Sequence, residues 1–394
     1  MSQEQEGDSS AVPCPLSPVP SLGPLSPVTS SQTWVFRILA LIGGLAAGGC
    51  VAGLAWGVLR AMAPTAIERA NAGFEQMVRS TPPSTQRLLD AAGFGTNERL
   101  VCSANFDGTL VFSSRVMERH PTRGYRFRPA QSNLWVFPVG FPFQIIVPDT
   151  ESVRAALSEA GTPITSREQI NAQGCRGSEW DDLDSCDYRI LVVGDSFTEG
   201  ILVSEDQTFC LLLERKLREA SDRPVLVANA GVIGYSTEQE LYTIEELAPQ
   251  LRPQLVVLCF YANDVHSDHH RVLESRRPKG DWKAAEVWLD RAAQYCRQRG
   301  IRFVVAVIPD RTQLHARGSR QRYQHRLEEI SARLGLYLID PDERFLAHRQ
   351  QELYLKQDAH FGPIGHELFA QVLSEHIRGW IPAPKRENQD AEVQ

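Results

Sequence analysis

From Tyr188 onward, apolar runs alternate with amphipathic stretches. "RILVV" is followed by a stretch with Phe209, Leu212, Leu213 and Leu217 at helical spacing. "VLVAN" precedes a segment opened by "STEQ", where Ser236 stands three residues before Gln239 as in a capping box. "LVVLCF" leads through a loop to a predicted helix from Trp282 to Arg299, stopped by Gly300. "IRFVVAVI" is followed by a predicted helix from Arg320 to Leu334, stopped by Gly335, and then by "LYLI". "PIGHELFAQVLSEHI" closes the pattern, with Pro363 suited to a first helical turn. Near-continuous apolar strands separated by helices predict a three-layer α/β/α domain around a parallel sheet buried on both faces.

Upstream the pattern is weaker. Between Pro64 and Asp184, "RLLDAAGF" and "VRAALSEAG" read as short helices, and "TLVFSS" and "PFQIIVP" as strands. This membrane-proximal region is expected to pack onto the domain that follows. Ile38 to Leu59 is an uncharged stretch of about 22 residues, long enough to cross a hydrocarbon core as one helix. Trp34 and Trp56 lie near its ends, and Gly49, Gly53 and Gly57 recur at a spacing that lets a second helix approach closely. Residues 1–33 are rich in Pro and Ser and are expected to be disordered. The predicted organisation is a tail (1–33), a transmembrane segment (34–62), a membrane-proximal region (63–184), the α/β domain (185–380) and a polar C-terminal tail (381–394).

Composition narrows the function. A net charge of −7 argues against nucleic acid as a main partner, because phosphate binding wants a basic face. Eight cysteines show no C-x-x-C pair, so no zinc site is expected from them. Cys175 and Cys186 are candidates for a disulfide if that segment faces an oxidising compartment. The loop "NDVHSDHH" carries His266, Asp268, His269 and His270 without a regular ligand spacing. No metal or cofactor is expected.

In a parallel sheet, ligands bind at the carboxyl ends of the strands. Ser196 follows the first strand in "GDSFTEG". "NAGVIGYST" after the second brings Gly231 and Gly234. "FYAND" after the third brings Asn263 and Asp264, and "QDAHFGPIGH" before the last helix brings Asp358, His360 and His366. A hydroxyl nucleophile needs a base, the base needs an orienting carboxylate, and a developing oxyanion needs neutral donors. Each stretch alone has a structural reading as a turn or cap; four in order at one sheet edge point to chemistry.

These four blocks resemble those of the SGNH/GDSL hydrolase superfamily over roughly Ile170 to Ile377. "INAQGCRG" also resembles a segment of membrane-attached bacterial members. The resemblance implies a flavodoxin-like sheet with Ser196 as nucleophile, His360 as base and Asp358 as orienting acid. It also implies an oxyanion hole of the Ser196 N–H, Gly234 and Asn263, with Asp195 organising the turn and Gly231 and Asp264 in support. Two positions depart from the usual family pattern. The acid stands at D-x-H rather than D-x-x-H spacing, with Gln357 in the usual place, and Tyr261 replaces a small residue and is expected to narrow the pocket. The implied activity is hydrolysis of an ester, such as an O-acyl or O-acetyl group of a carbohydrate or lipid. The alternatives are an O-acyltransferase acting on a polysaccharide and a non-catalytic scaffold with the same fold. On orientation, Arg60, Arg69 and Arg79 after the apolar stretch, against Arg37 before it, favour a cytoplasmic domain. The resemblance to membrane-attached relatives favours an extracytoplasmic one, and that is the placement expected here.

Overall fold

Five apolar runs form one parallel sheet: β8 (Tyr188–Gly194), β9 (Val225–Gly231), β10 (Leu255–Phe260), β11 (Arg302–Val307) and β12 (Tyr337–Ile339). The computed structural model describes residues 66–95, 97–103, 109–180, 183–265, 282–314, 320–356 and 358–382. The apolar stretch 38–59 with Gly49, Gly53 and Gly57, the N-terminal tail, Gln357, residues 383–394 and the loop carrying His266, Asp268, His269 and His270 lie outside the described residues. Among the described residues no helix is long and apolar enough to cross a membrane.

The strands lie in the order β9-β8-β10-β11-β12. Val193 of β8 sits opposite Ala230 of β9 and Leu258 of β10, and Leu258 sits opposite Val305 of β11. Every residue of β10 is buried, because helices cover both faces of the sheet. The helix α5 (Phe209–Ser221) buries Phe209, Leu213 and Leu217 and packs against β9 and the last helix, α10 (Pro363–Ile377). On other strands, α6 (Thr237–Leu251) packs against β8 and β10, and α7 (Trp282–Gln298) packs against α6 and β11. Gln239 reaches back to accept the Ser236 N–H at 3.2 Å, as the "STEQ" pattern predicts. The helix α8 (Arg320–Leu334) leads into β12, and a short α9 (Asp342–Ala347) follows it. Chain order reverses between β8 and β10, which opens a crevice at their carboxyl ends.

Among the described residues, the region before β8 is built from α1 (Ala66–Ser80), α2 (Pro83–Ala91), α3 (Glu151–Ala160) and seven strands. Two are the hairpin β1 (Arg99–Ser103) and β2 (Thr109–Ser113), and two more are the hairpin β3 (Met117–His120) and β4 (Gly124–Phe127). The others, β5 (Gln131–Val136), β6 (Ile145–Pro148) and β7 (Ile164–Ile170), form an antiparallel sheet in the order β6-β5-β7. Helices α2 and α3 and strands β2 and β6 answer to the four stretches picked out by pattern; α1, β1, β3, β4, β5 and β7 do not. The last of these, "ITSREQI", turns Ser166, Glu168 and Ile170 inward in alternation. The region joins the α/β sheet through Arg176, whose N–H donates to the Asn229 carbonyl at 3.0 Å. Thr65–Gln394 is one compact unit by its contacts. A shared apolar cluster supports this, running from Tyr125, Phe127 and Trp135 to Ile201, Val232 and Tyr235.

Candidate active site

Strand β8 ends at Gly194, and Asp195 caps a single helical turn, α4 (Ser196–Glu199). One Asp195 oxygen accepts the Phe197 N–H at 2.9 Å, and the other accepts the Asn263 side-chain amide at 2.9 Å. Asp195 thereby fixes the start of the turn and the rotamer of an amide from a different strand end. The amide nitrogen of Asn carries two protons, and Asp195 takes one of them. The Asn263 turn follows β10, and Asp264 holds it by accepting the Tyr261 N–H at 2.7 Å. Asp264 therefore braces this turn from below the crevice. Burial raises Asp195 above the usual carboxylate range. Burial, with Asp195 nearby, pushes both Asp264 and Glu240 well above it.

Ser196 is 7% exposed, and its Oγ lies 2.7 Å from His360 Nε2. The other ring nitrogen, Nδ1, is hydrogen-bonded to Asp358 Oδ1, which also accepts the His360 N–H at 2.9 Å. Burial acts to raise Asp358, but its hydrogen bonds with His360 outweigh burial and hold it below the ordinary carboxylate range. An ionised Asp358 places the imidazole proton on Nδ1, so that Nε2 faces Ser196 with a lone pair. The D-x-H spacing thus brings the acid to the ring directly. The loop is pinned from outside. Arg311 donates to the carbonyls of Leu355 and Asp358 at 3.1 and 3.3 Å, and the Leu355 N–H donates to the His360 carbonyl at 2.9 Å. The Phe197 ring packs against the His360 ring, centroids 4.7 Å apart, and against Tyr261 at 4.6 Å. The Tyr261 hydroxyl donates to Asp310, which holds that ring against Phe197.

The second block is tied to the nucleophile turn. The Val232 N–H donates to the Gly194 carbonyl at 3.1 Å, and the Ile233 N–H donates to Glu199 Oε2 at 2.7 Å. Gly231 is required by space: a Cβ there would stand 2.2 Å from the Glu199 nitrogen. Gly234 has φ +75°, and a Cβ there would meet Leu110 Cδ1 at 2.6 Å. His366 lies apart from this chemistry. Its Nδ1 accepts the Phe209 N–H at 3.2 Å, and burial lowers its pKa to about 3, so it stays neutral at the start of the last helix, of which it is part. Cys175 and Cys186 carry free thiols, which answers the disulfide expectation in the negative; burial pushes the Cys175 thiol up to about 12. Among the described residues no group of His, Cys, Asp or Glu could hold a metal ion.

Residue-type reasoning missed a buried charge network behind the Ser196 turn. Arg176 donates to the carbonyls of Glu199, Gly200 and Val203 at 2.9, 2.5 and 2.8 Å. Its guanidinium lies 3.9 Å from Glu168, and the two side chains are 1% and 0% exposed. Glu168 also accepts from Asn133 at 3.2 Å and from the Trp135 indole at 3.3 Å. Burial raises Glu168, and Arg176 opposes that rise; burial, reinforced by Glu168, pushes Glu199 well above the ordinary range. The available signal was the Arg of "INAQGCRG", but its partner Glu168 sits in an unremarked polar strand. Replacing Arg176 with Met is expected to destabilise the fold by about 3–5 kcal/mol, because the buried Glu168 loses its counter-charge and the Gly200 and Val203 carbonyls lose the Arg176 donor, while the Glu199 carbonyl keeps only the Asn229 amide at 3.3 Å. Urea unfolding of the variant checks this; a loss under about 1 kcal/mol would assign the network no structural weight.

Residues 192–368 match the model of the GDSL-like Lipase/Acylhydrolase family. Among solved structures, the chain is similar to a lipase/acylhydrolase from Enterococcus faecalis, at 20% identity and a TM-score of 0.41, covering 50% of this chain and 99% of that one. It is also similar to the psychrotrophic esterase EstA from Pseudoalteromonas sp., at 16% identity and a TM-score of 0.39, covering 49% and 97%. A third is the acetyl xylan esterase AlAXEase, at 18% identity and a TM-score of 0.39, covering 48% and 99%. No curated protein matches the chain in sequence.

Proposed function

We propose that this member of the SGNH/GDSL hydrolase superfamily is a serine esterase that works through an acyl-enzyme on Ser196. The observation that carries the reading is the unbroken hydrogen-bonded chain from Ser196 through His360 to Asp358 at the crevice of the sheet. Ser196 Oγ attacks the ester carbonyl carbon while His360 Nε2 takes its proton. The carbonyl π electrons move to oxygen, and Asp358 stabilises the imidazolium. The oxyanion is met by the Ser196 N–H, the Gly234 N–H and the Asn263 amide. As the tetrahedral adduct collapses, the C–O bond to the leaving alcohol breaks and His360 returns the proton to that oxygen. Water then repeats the sequence on the acyl-enzyme, releasing the acid and regenerating Ser196.

The defining experiment is labelling by a fluorophosphonate together with turnover of p-nitrophenyl acetate. A wild-type chain that neither reacts nor turns over would return the fold to a scaffold role. Release of free acid in the absence of any sugar acceptor separates hydrolysis from acyl transfer. Asn263→Ala is expected to lower kcat about 100- to 1,000-fold with KM little changed, because the amide proton that Asp195 leaves available meets the oxygen as its charge develops. A loss below about tenfold would take Asn263 out of the oxyanion hole. We assign residues 34–62 to a single membrane-spanning helix on the strength of the uncharged stretch 38–59 within them, with the domain outside the cytoplasm. Protease shaving of intact cells carrying a C-terminal tag reads the side directly, and a tag that survives until the membrane is broken reverses the assignment.

A further inference from the structure

An apolar hollow of about 470 Å³ beside α1 takes no part in the chemistry above. Its walls include Phe74, Met77, Leu110, Phe112, Ile145 and Ile233. That volume falls in the range of small-molecule sites, about 300–1,000 Å³. Among the described residues, Gln144 is the only amide or charged side chain lining it. The rim carries Phe143, which is 45% exposed despite its size.

Three observations connect this hollow to the site. Ile233 directly precedes Gly234, and Leu110 packs where a Gly234 side chain would stand. The wall of the hollow is thus the back of the proposed oxyanion turn. Gln144 lines both this hollow and a second cleft that contains Leu355, Asp358 and Gly362, and its Oε1 is buried without a hydrogen-bond partner. Finally, Phe112, Trp135 and Ile146 of the hollow belong to one apolar cluster with Leu202, Val232 and Leu355. Those last three residues sit on the loops that carry Ser196, Gly234 and His360.

Granting the esterase reading, we propose that this hollow holds the acyl chain of the substrate, a straight fatty acyl group of medium length. The ester carbonyl sits at Ser196, and the chain runs past Ile233 into the space between α1 and β2. The N-terminal region then sets specificity, while the α/β domain supplies the chemistry. Each methylene moved from water into such a space is worth about a fourfold gain in affinity. Water has few polar partners there, so a chain that displaces it loses little hydrogen bonding.

The test compares p-nitrophenyl octanoate with p-nitrophenyl acetate on the full-length chain. The wild type is expected to show kcat/KM for the octanoate at least about tenfold above that for the acetate. Gly73 lines the hollow from α1, and a Cβ there meets nothing within 4 Å, so Gly73→Trp puts an indole into the space without a backbone clash. This variant should lose about tenfold or more on the octanoate and stay within about twofold on the acetate. Octanoic acid added to the wild type gives a second reading that needs no substitution. It should inhibit acetate turnover at concentrations where acetic acid has no effect. Acetate turned over as well as octanoate in the wild type overturns the chain site and leaves the esterase intact. An equal loss on both esters in Gly73→Trp, with octanoic acid inert, does the same. Failure of both esters, with Ser196 unlabelled by a fluorophosphonate, removes the esterase reading and the chain site with it.

Discussion

Ser196→Ala and His360→Ala should each lower kcat on p-nitrophenyl acetate by about 10⁴- to 10⁶-fold, and the double variant should be little worse than either single one. The oxygen that attacks and the nitrogen that takes its proton are 2.7 Å apart and act as one unit, so removing either removes the step. Binding and the oxyanion donors remain, which leaves a residual rate above that of water. Neither change should disturb the fold. Asp195 holds the turn through the Phe197 N–H and Asn263, and neither of those bonds involves the Ser196 hydroxyl. The checks are steady-state kinetics, fluorophosphonate labelling and circular dichroism on each variant. Activity within tenfold of wild type in Ser196→Ala would sink the nucleophile assignment.

Asp358→Asn should cost about 10³- to 10⁴-fold in kcat while leaving the protein folded. Asn keeps an oxygen for the His360 N–H, which Asp358 accepts at 2.9 Å, so the loop retains that bond. What it loses is the charge. If the amide instead turns its NH2 to His360 Nδ1, it gives up that bond and moves the ring proton to Nε2, where it blocks acceptance of the Ser196 proton. It also fails to stabilise the imidazolium. The sign of the linked stability effect follows from the direction of the Asp358 shift. Its pKa in the folded protein is depressed, so its contribution to stability is full above the unfolded-state pKa and is lost as pH falls through the folded one. The stability gap between wild type and Asp358→Asn should therefore close in acid. An activity loss under tenfold would mean that another carboxylate orients the base, and the D-x-H reading would fall.

The α/β domain was legible in sequence because each cue is local. A buried parallel strand must be apolar along its length, as "LVVLCF" and "ILVV" are, and the following helix must show a 3.6-residue stripe. Strand ends then mark the catalytic edge, because all five strands run the same way. Ser196, Gly234, Asn263 and His360 therefore announced themselves by position as well as by type. The region before β8 was less legible. Its strands β3, β4, β5 and β7 carry charged or amide side chains, and "MERH" or "QSNLWV" becomes a strand only when a partner supplies its hydrogen bonds.

By itself, the sequence determined the order of strands and helices in the α/β domain and the four chemical groups at its edge. Periodicity and turn chemistry act within about ten residues, a range over which the chain needs no distant partner. Only the tertiary structure showed Asp358 at His360 Nδ1, the Asn263 amide held by Asp195, and Arg176 paired with Glu168 behind the Ser196 turn. It also decided that α1, more than a hundred residues before Ser196, lines a hollow backed by the turn before Gly234. These are contacts between segments far apart in the chain. Their energies come from burial and from charges excluded from water, and neither quantity exists until the segments meet.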